Sequence, residues 1–155
     1  MSGHSKWVTI HRQKQVNDVK RGAVFTKLAR AITMAVKQGR GLQLALAKAK
    51  QFNMPKDNIQ RAIDRRDELH EVMFEGFGPG GVAVMVAAVT DNKLRTAAAV
   101  WGLLKKGTVA YLFSADRTAN FEVRVEDAAA RAKIEAVLAK LEELDDVQKV
   151  WTNYA

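Results

Sequence analysis

Residues 76–92 read GFGPGGVAVMVAAVTDN, and this stretch decides the fold class. Before it the chain is organised with a helical period. Within it four glycines and a proline break the chain, and a Val-rich apolar run follows, bounded by turn residues. A short apolar run of that kind reads as a buried strand over Val82–Thr90. Asp91-Asn92 then supplies a cap for a helix running to about Lys106. The glycines precede a strand and are followed by no Gly-Lys-Ser/Thr, so they read as a turn-rich hinge and not as a phosphate loop.

Outward from this point the two directions differ. Upstream, Val24, Leu28, Ile32, Ala35 and Val36 form one apolar face of a helix over about Asp18–Gln38. Lys20, Lys27, Arg30 and Lys37 project from its other side. Gly39-Arg40-Gly41 stops it. A second helix carries Leu42, Ala45, Leu46 and Ala49, and ends near Phe52-Asn53. Pro55 opens a third, with Asp57 in its first turn and Ile59, Ala62 and Ile63 as its stripe.

Downstream, Thr108–Phe113 reads as a strand and Asn120–Val125 as another, with Phe121, Val123 and Val125 alternating against Glu122 and Arg124. Asp127–Leu144 is helical through Ile134, Val137, Leu138 and Leu141, and Val147–Trp151 is a last strand. The expected plan is α+β: a three-helix domain over 1–70, then a ferredoxin-like βαββαβ domain over 71–155.

Charge divides at the same place. Residues 1–66 hold 15 Lys and Arg against 3 Asp and Glu, whereas residues 67–155 hold 10 against 14. A basic half joined to a mildly acidic half points to a polyanion partner for the first, through phosphate neutralisation. The chain has no Cys, which excludes disulfides, thiolate metal sites and a Cys nucleophile. Its three histidines have no His or carboxylate at metal-ligand spacing. No nucleophile-elbow sequence appears. Asp145 and Asp146 read as carboxylates at a helix end rather than as a cation site. The expectation is a non-enzymatic protein with no cofactor, no bound metal, no small-molecule substrate and no membrane partner.

The N-terminal run interleaves Trp7 with Lys6, His11, Arg12 and Lys14, a combination that serves base stacking with phosphate contact. Trp7 turned inward against the small helical core is the equal alternative. The run lacks an apolar h-region, and Gln13, Gln15, Asn17 and Asp18 interrupt an amphipathic face, so it reads as part of the working protein and not as a targeting peptide.

Seven segments occur in order: GHSKW (3–7), DVKRGAVFTKL (18–28), NMPKDNI (53–59), EGFGPGG (75–81), TDNKLRT (90–96), VAYLF (109–113) and LDDVQKVW (144–151). Together they resemble the YebC/PmpR family, whose mitochondrial members are called translational activators of cytochrome c oxidase. The resemblance implies a basic helical domain followed by α/β domains and a role in gene expression. Members are described either as DNA-binding transcriptional regulators or as ribosome-associated translation factors. It also implies two departures. Lys105-Lys106-Gly107 leads straight into Thr108 where the family carries a glycine-rich connection. The third domain that the family inserts between VAYLF and the last helix is absent.

The nucleic-acid-binding candidates are therefore His4, Lys6, Trp7, His11, Arg12, Lys14, Lys20, Arg21, Lys27, Arg30 and Lys37. RNA at the ribosome is the favoured partner and duplex DNA the alternative, because Lys and Arg on phosphate position a protein without reading sequence. A protein-interaction module with an incidental basic face is the third class. The expected location is cytoplasmic, or the mitochondrial matrix for a eukaryotic source.

Overall fold

The computed structural model describes residues 21–66 and 68–155. Three helices come first: α1 (Arg21–Gln38), α2 (Leu42–Gln51) and α3 (Lys56–Asp64). Leu28, Ile32, Ala49, Met54 and Ala62 are buried where they meet, with Val24, Phe25, Leu46, Ile59 and Ile63 packed round them. The stop after α1 depends on Gly39 and Gly41, at φ +69° and +77°. Glycine reaches this left-handed region at no steric cost. Pro55 sits one residue before α3, at φ −60°, in the N-cap position.

The second half contains β1 (His70–Phe77), β2 (Ala83–Thr90), α4 (Lys93–Trp101), β3 (Lys105–Lys106), α5 (Ala128–Glu143) and β4 (Val147–Thr152). The sheet order is β3-β1-β2-β4, with every neighbouring pair antiparallel. One face of the sheet packs against α4 and α5 through Phe74, Val84, Val86, Val100, Ile134, Leu138, Leu141 and Val150. Residues 109–113 cover one end of the other face, where Val109 and Phe113 meet Ala83 and Met85. The opposite end is met by α1, through Met34 against Leu69 and Val89.

The α+β plan of three helices followed by a four-stranded sheet with two helices is the one expected. The strands, however, are drawn from different residues, and their chain order is ββαβαβ rather than βαββαβ. The first strand is His70–Phe77. Its alternation of Glu71, Met73 and Glu75 with Val72, Phe74 and Gly76 is legible, but the apolar Met73 blurs it. GFGPGG is consequently no hinge between halves. Its first two residues end β1, and Pro79–Gly81 forms a 3-10 turn with Gly80 at φ +72°. The Gly78 amide closes the hairpin on the Val82 carbonyl at 2.9 Å.

Thr108–Phe113 is not a strand. Val109, Leu112 and Phe113 pack at spacings of three and four, which is a helical period, and Ala110–Leu112 is a 3-10 turn. Asn120–Val125 contributes one bridge, Val123 to Tyr154. The chain end takes both backbone groups of Val123, by bonds to the Asn153 carbonyl (2.7 Å) and from the Ala155 amide (2.9 Å). The helix after Asn92 stops at Trp101, capped by Gly102, and the chain extends into β3. Gly76 permits that pairing: a Cβ there would lie 2.4 Å from the Lys105 carbonyl oxygen.

Candidate nucleic-acid interface

Of the expected binding residues, His4, Lys6, Trp7, His11, Arg12, Lys14 and Lys20 lie outside the described residues, as does the side chain of Arg21. Lys27, Arg30 and Lys37 are described, and α1 directs all three toward the sheet half. The Lys27 ammonium donates to the Glu142 carbonyl. The Gln148 amide returns a bond to the Lys27 carbonyl at 3.1 Å. Arg30 donates to the Asp146 carboxylate and, at 3.1 Å, to the Val89 carbonyl. Lys37 remains at the surface and donates to the Leu69 carbonyl at 2.7 Å. Helical periodicity marks this side of α1 as polar. It says nothing of what lies against it.

Asp146 is the centre of the contact. It is 9% exposed and sits between α5 and β4. Besides Arg30, it accepts from Arg95 at 3.1 Å on each oxygen and from the Thr96 hydroxyl at 2.7 Å. The Thr96 oxygen can in turn accept from the Thr90 hydroxyl, 2.8 Å away. The Asp146 carbonyl accepts from the Val89 amide at 2.8 Å. Burial disfavours the ionised carboxylate. The hydrogen bonds from Arg30, Thr96 and Arg95 and the Arg30 charge outweigh that cost and hold its pKa below the ordinary carboxylate value. The TDNKLRT and LDD segments thus meet in one network with α1. No spacing rule in the sequence joins residues so far apart.

Beside it, burial pushes the Glu142 carboxyl up to about 7, against the opposing charges of Lys27 and Lys149. Burial likewise lowers the Lys27 ammonium, against Glu142 and Asp145. Glu142 therefore holds its proton more tightly folded than unfolded, where its ordinary value is 4.5. Its stabilising contribution is complete below 4.5 and is lost as pH rises through about 7. Glu142→Gln is expected to remove up to about 3 kcal/mol of pH dependence across that window. Urea melts of both proteins at successive pH values would check this, and parallel curves would refute it.

The cations that do face solvent are elsewhere on the helical half. Arg40, Lys48, Lys50, Lys56, Arg61, Arg65 and Arg66 are all exposed, on α2, α3 and their flanks. Arg66 folds back onto the Ile63 and Arg65 carbonyls at 3.1 Å each. A groove of about 580 Å³ runs between α1 and the chain after α3, lined by Thr33, Val36, Lys37, Arg65, Arg66 and Glu68. The charge of residues 1–66 points to this surface as a whole. Motif distinctiveness points instead to the N-terminal arm and α1, which is why sequence reasoning passes over the cations of α2 and α3.

Residues 5–68 match the family model described as the TACO1/YebC protein N-terminal domain, and residues 69–121 match the TACO1/YebC second and third domain. A probable transcriptional regulatory protein of Rubrobacter xylanophilus is 49% identical over 135 residues, covering 73% of this chain and 54% of that protein. One from Treponema denticola is 42% identical over 176 residues, covering 99% of this chain and 71% of that protein. That alignment has more positions than this chain has residues, so the relative carries segments with no counterpart here. The chain spans 54% to 71% of the length of the curated relatives it matches. The crystal structure of a conserved hypothetical protein from Aquifex aeolicus superposes with a TM-score of 0.80 at 28% identity, covering 89% of this chain and 91% of that one. No helix among the described residues is long and apolar enough to cross a membrane. With both family models matching in sequence order, and one relative aligned along nearly its whole length, the chain belongs to the TACO1/YebC family.

Proposed function

We propose that this chain is a non-enzymatic regulator of gene expression that binds structured RNA at the ribosome. The basic half, to about residue 70, grips phosphate, and the sheet half from about 71 positions it or contacts protein. One observation carries the preference for RNA. The 18-residue α1 is covered by α2 and α3 on one side and engages the sheet half on the other. It is therefore not offered as a free recognition helix to a major groove. The exposed helical cations are Lys and Arg on short helices, suited to backbone contact without base readout. The grip comprises Arg40, Lys48, Lys50, Lys56, Arg61 and the N-terminal basic residues, with His4 and Trp7 available to stack. The action is cytoplasmic, or in the mitochondrial matrix of a eukaryote.

The second reading, duplex DNA, is favoured by the relatives' description as probable transcriptional regulatory proteins. Sucrose-gradient sedimentation of lysate at moderate and high salt separates the two. Co-migration with ribosomes or one subunit, released by salt, is the expected result. Absence from every ribosomal fraction, together with salt-resistant binding to one promoter duplex, would overturn the RNA reading.

A further inference from the structure

Among the described residues, the outer edge of β1 is open from His70 to Phe74. β3 pairs only with Gly76 and Phe77, although β1 begins at His70. Two bonds define which backbone groups point outward. The Gly78 amide faces β2, bonding Val82, while the Glu75 carbonyl faces away from β2 and accepts from the Gly107 amide at 3.3 Å. Odd-numbered residues of β1 therefore direct N–H and C=O to the outer edge. Glu75 and Phe77 have neighbours there. The outward groups of Glu71 and Met73 have no backbone partner among the described residues. Met73 is also 44% exposed, a large apolar side chain on the sheet face away from α4 and α5. An exposed edge with free ladder groups is a template for one more strand.

The side chains choose among possible strands. Glu71 and Glu75 flank Met73 on the same face. Self-pairing of two copies about Met73 would place Glu71 of each opposite Glu75 of the other, and like charges opposed across a ladder are destabilising. Glu71 accepts from Gln38 at 2.5 Å and Glu75 from the Ala110 amide at 3.1 Å, so no cation neutralises either in these contacts. The cations at this edge lie at its two ends, Lys37 on the Leu69 carbonyl at 2.7 Å and Lys105 and Lys106 in β3, and Lys106 sits over the Trp101 ring at 5.7 Å.

We propose that the edge of β1 over residues 71–74 binds an extended peptide segment by antiparallel strand addition, one carrying an apolar and a basic residue at alternate positions. The apolar residue pairs with Met73 and the cation lies beside Glu71, because Gly107 already holds the place opposite Glu75. The site is separate from the basic helical surface, and its test does not depend on RNA binding.

The experiment is amide hydrogen exchange on the full chain with the blocked peptide Thr-Val-Thr-Lys-Thr, which places Val beside Met73 and Lys beside Glu71 in antiparallel pairing. In the dilute free protein the amides of Glu71 and Met73 should exchange fast, and those of Val72 and Phe74, bonded to β2, slowly. Saturating peptide should slow Glu71 and Met73 by about tenfold and leave the others unchanged. The same peptide with Glu for Lys should give no protection. Met73→Pro removes an outward N–H without touching the β2 ladder and should abolish protection at Glu71. Should that variant not fold, Glu71→Lys serves. It should weaken the Lys peptide by about threefold and improve the peptide with the matching Lys changed to Glu. Three results would each overturn the proposal: no protection by the Lys peptide, protection already complete in the dilute free chain, or peptide-free protection that grows with protein concentration. The last would identify a second copy as the occupant.

Discussion

Asp146→Ala is expected to destabilise the chain by about 3–5 kcal/mol, the cost of removing one partner from a buried charge pair. Arg30 and Thr96 are deprived of their carboxylate acceptor, and among the described residues Arg30 keeps only the Val89 carbonyl. The Arg30 side chain is 16% exposed, so water replaces little of that bond. Arg95 is half exposed and suffers less, since Asp91 still holds it at 2.7 Å. Urea melts measure the destabilisation, and a change below about 1 kcal/mol would contradict the account. Replacing Arg30 by Met and Asp146 by Leu together should recover much of the stability, because a buried pair is costly mainly when half of it remains. The same carboxylate predicts acid sensitivity. Its folded pKa lies below the ordinary 3.8, so its contribution is present above that value and fades as pH falls through it.

The second large effect is on binding. Replacing Lys48, Lys50 and Lys56 by Ala should lower the slope of log affinity against log salt. The expected reduction is about 0.7 for each phosphate left unneutralised on single-stranded RNA, and about 0.9 on duplex DNA. If each lysine neutralises one phosphate, the slope changes by roughly 2–3. All three side chains are exposed and form no ion pair among the described residues, so the fold should be unaffected. A parallel variant, Lys6, Arg12 and Lys14 to Ala, tests the N-terminal arm by the same measurement. Lys27→Ala and Arg30→Ala should behave differently, lowering the melting temperature with little change in slope. A slope unchanged by the Lys48, Lys50 and Lys56 substitutions would remove the exposed helical cations from the interface.

The helices are the readable part of the fold. Each buries one apolar stripe and is bounded at one end or both by Gly39, Gly41, Pro55, Gly102 or a capping Asn92 or Asp127, and those signals are local. Strands are harder. Val82–Thr90 and Val147–Trp151 are legible because they are apolar or strictly bounded. Residues 109–113 mimic a strand because a short apolar run does not declare its period until its neighbours are known. The strand at 70–77 hides because Met73 occupies a position that alternation reserves for polar groups. That same exception marks the open edge.

The candidate interface divides in the same way. Composition alone establishes a basic half and an acidic half, and the motif order alone establishes the family. Tertiary structure decides which cations face solvent. Arg30 and Asp146 are 116 residues apart, and only the docking of α1 beside the α5–β4 turn makes them partners. Local periodicity identifies the side of a helix that must be buried by apolar packing. The opposite side is free to meet water, phosphate or another part of the same chain, and hydrogen-bonding groups brought near by long-range packing determine which.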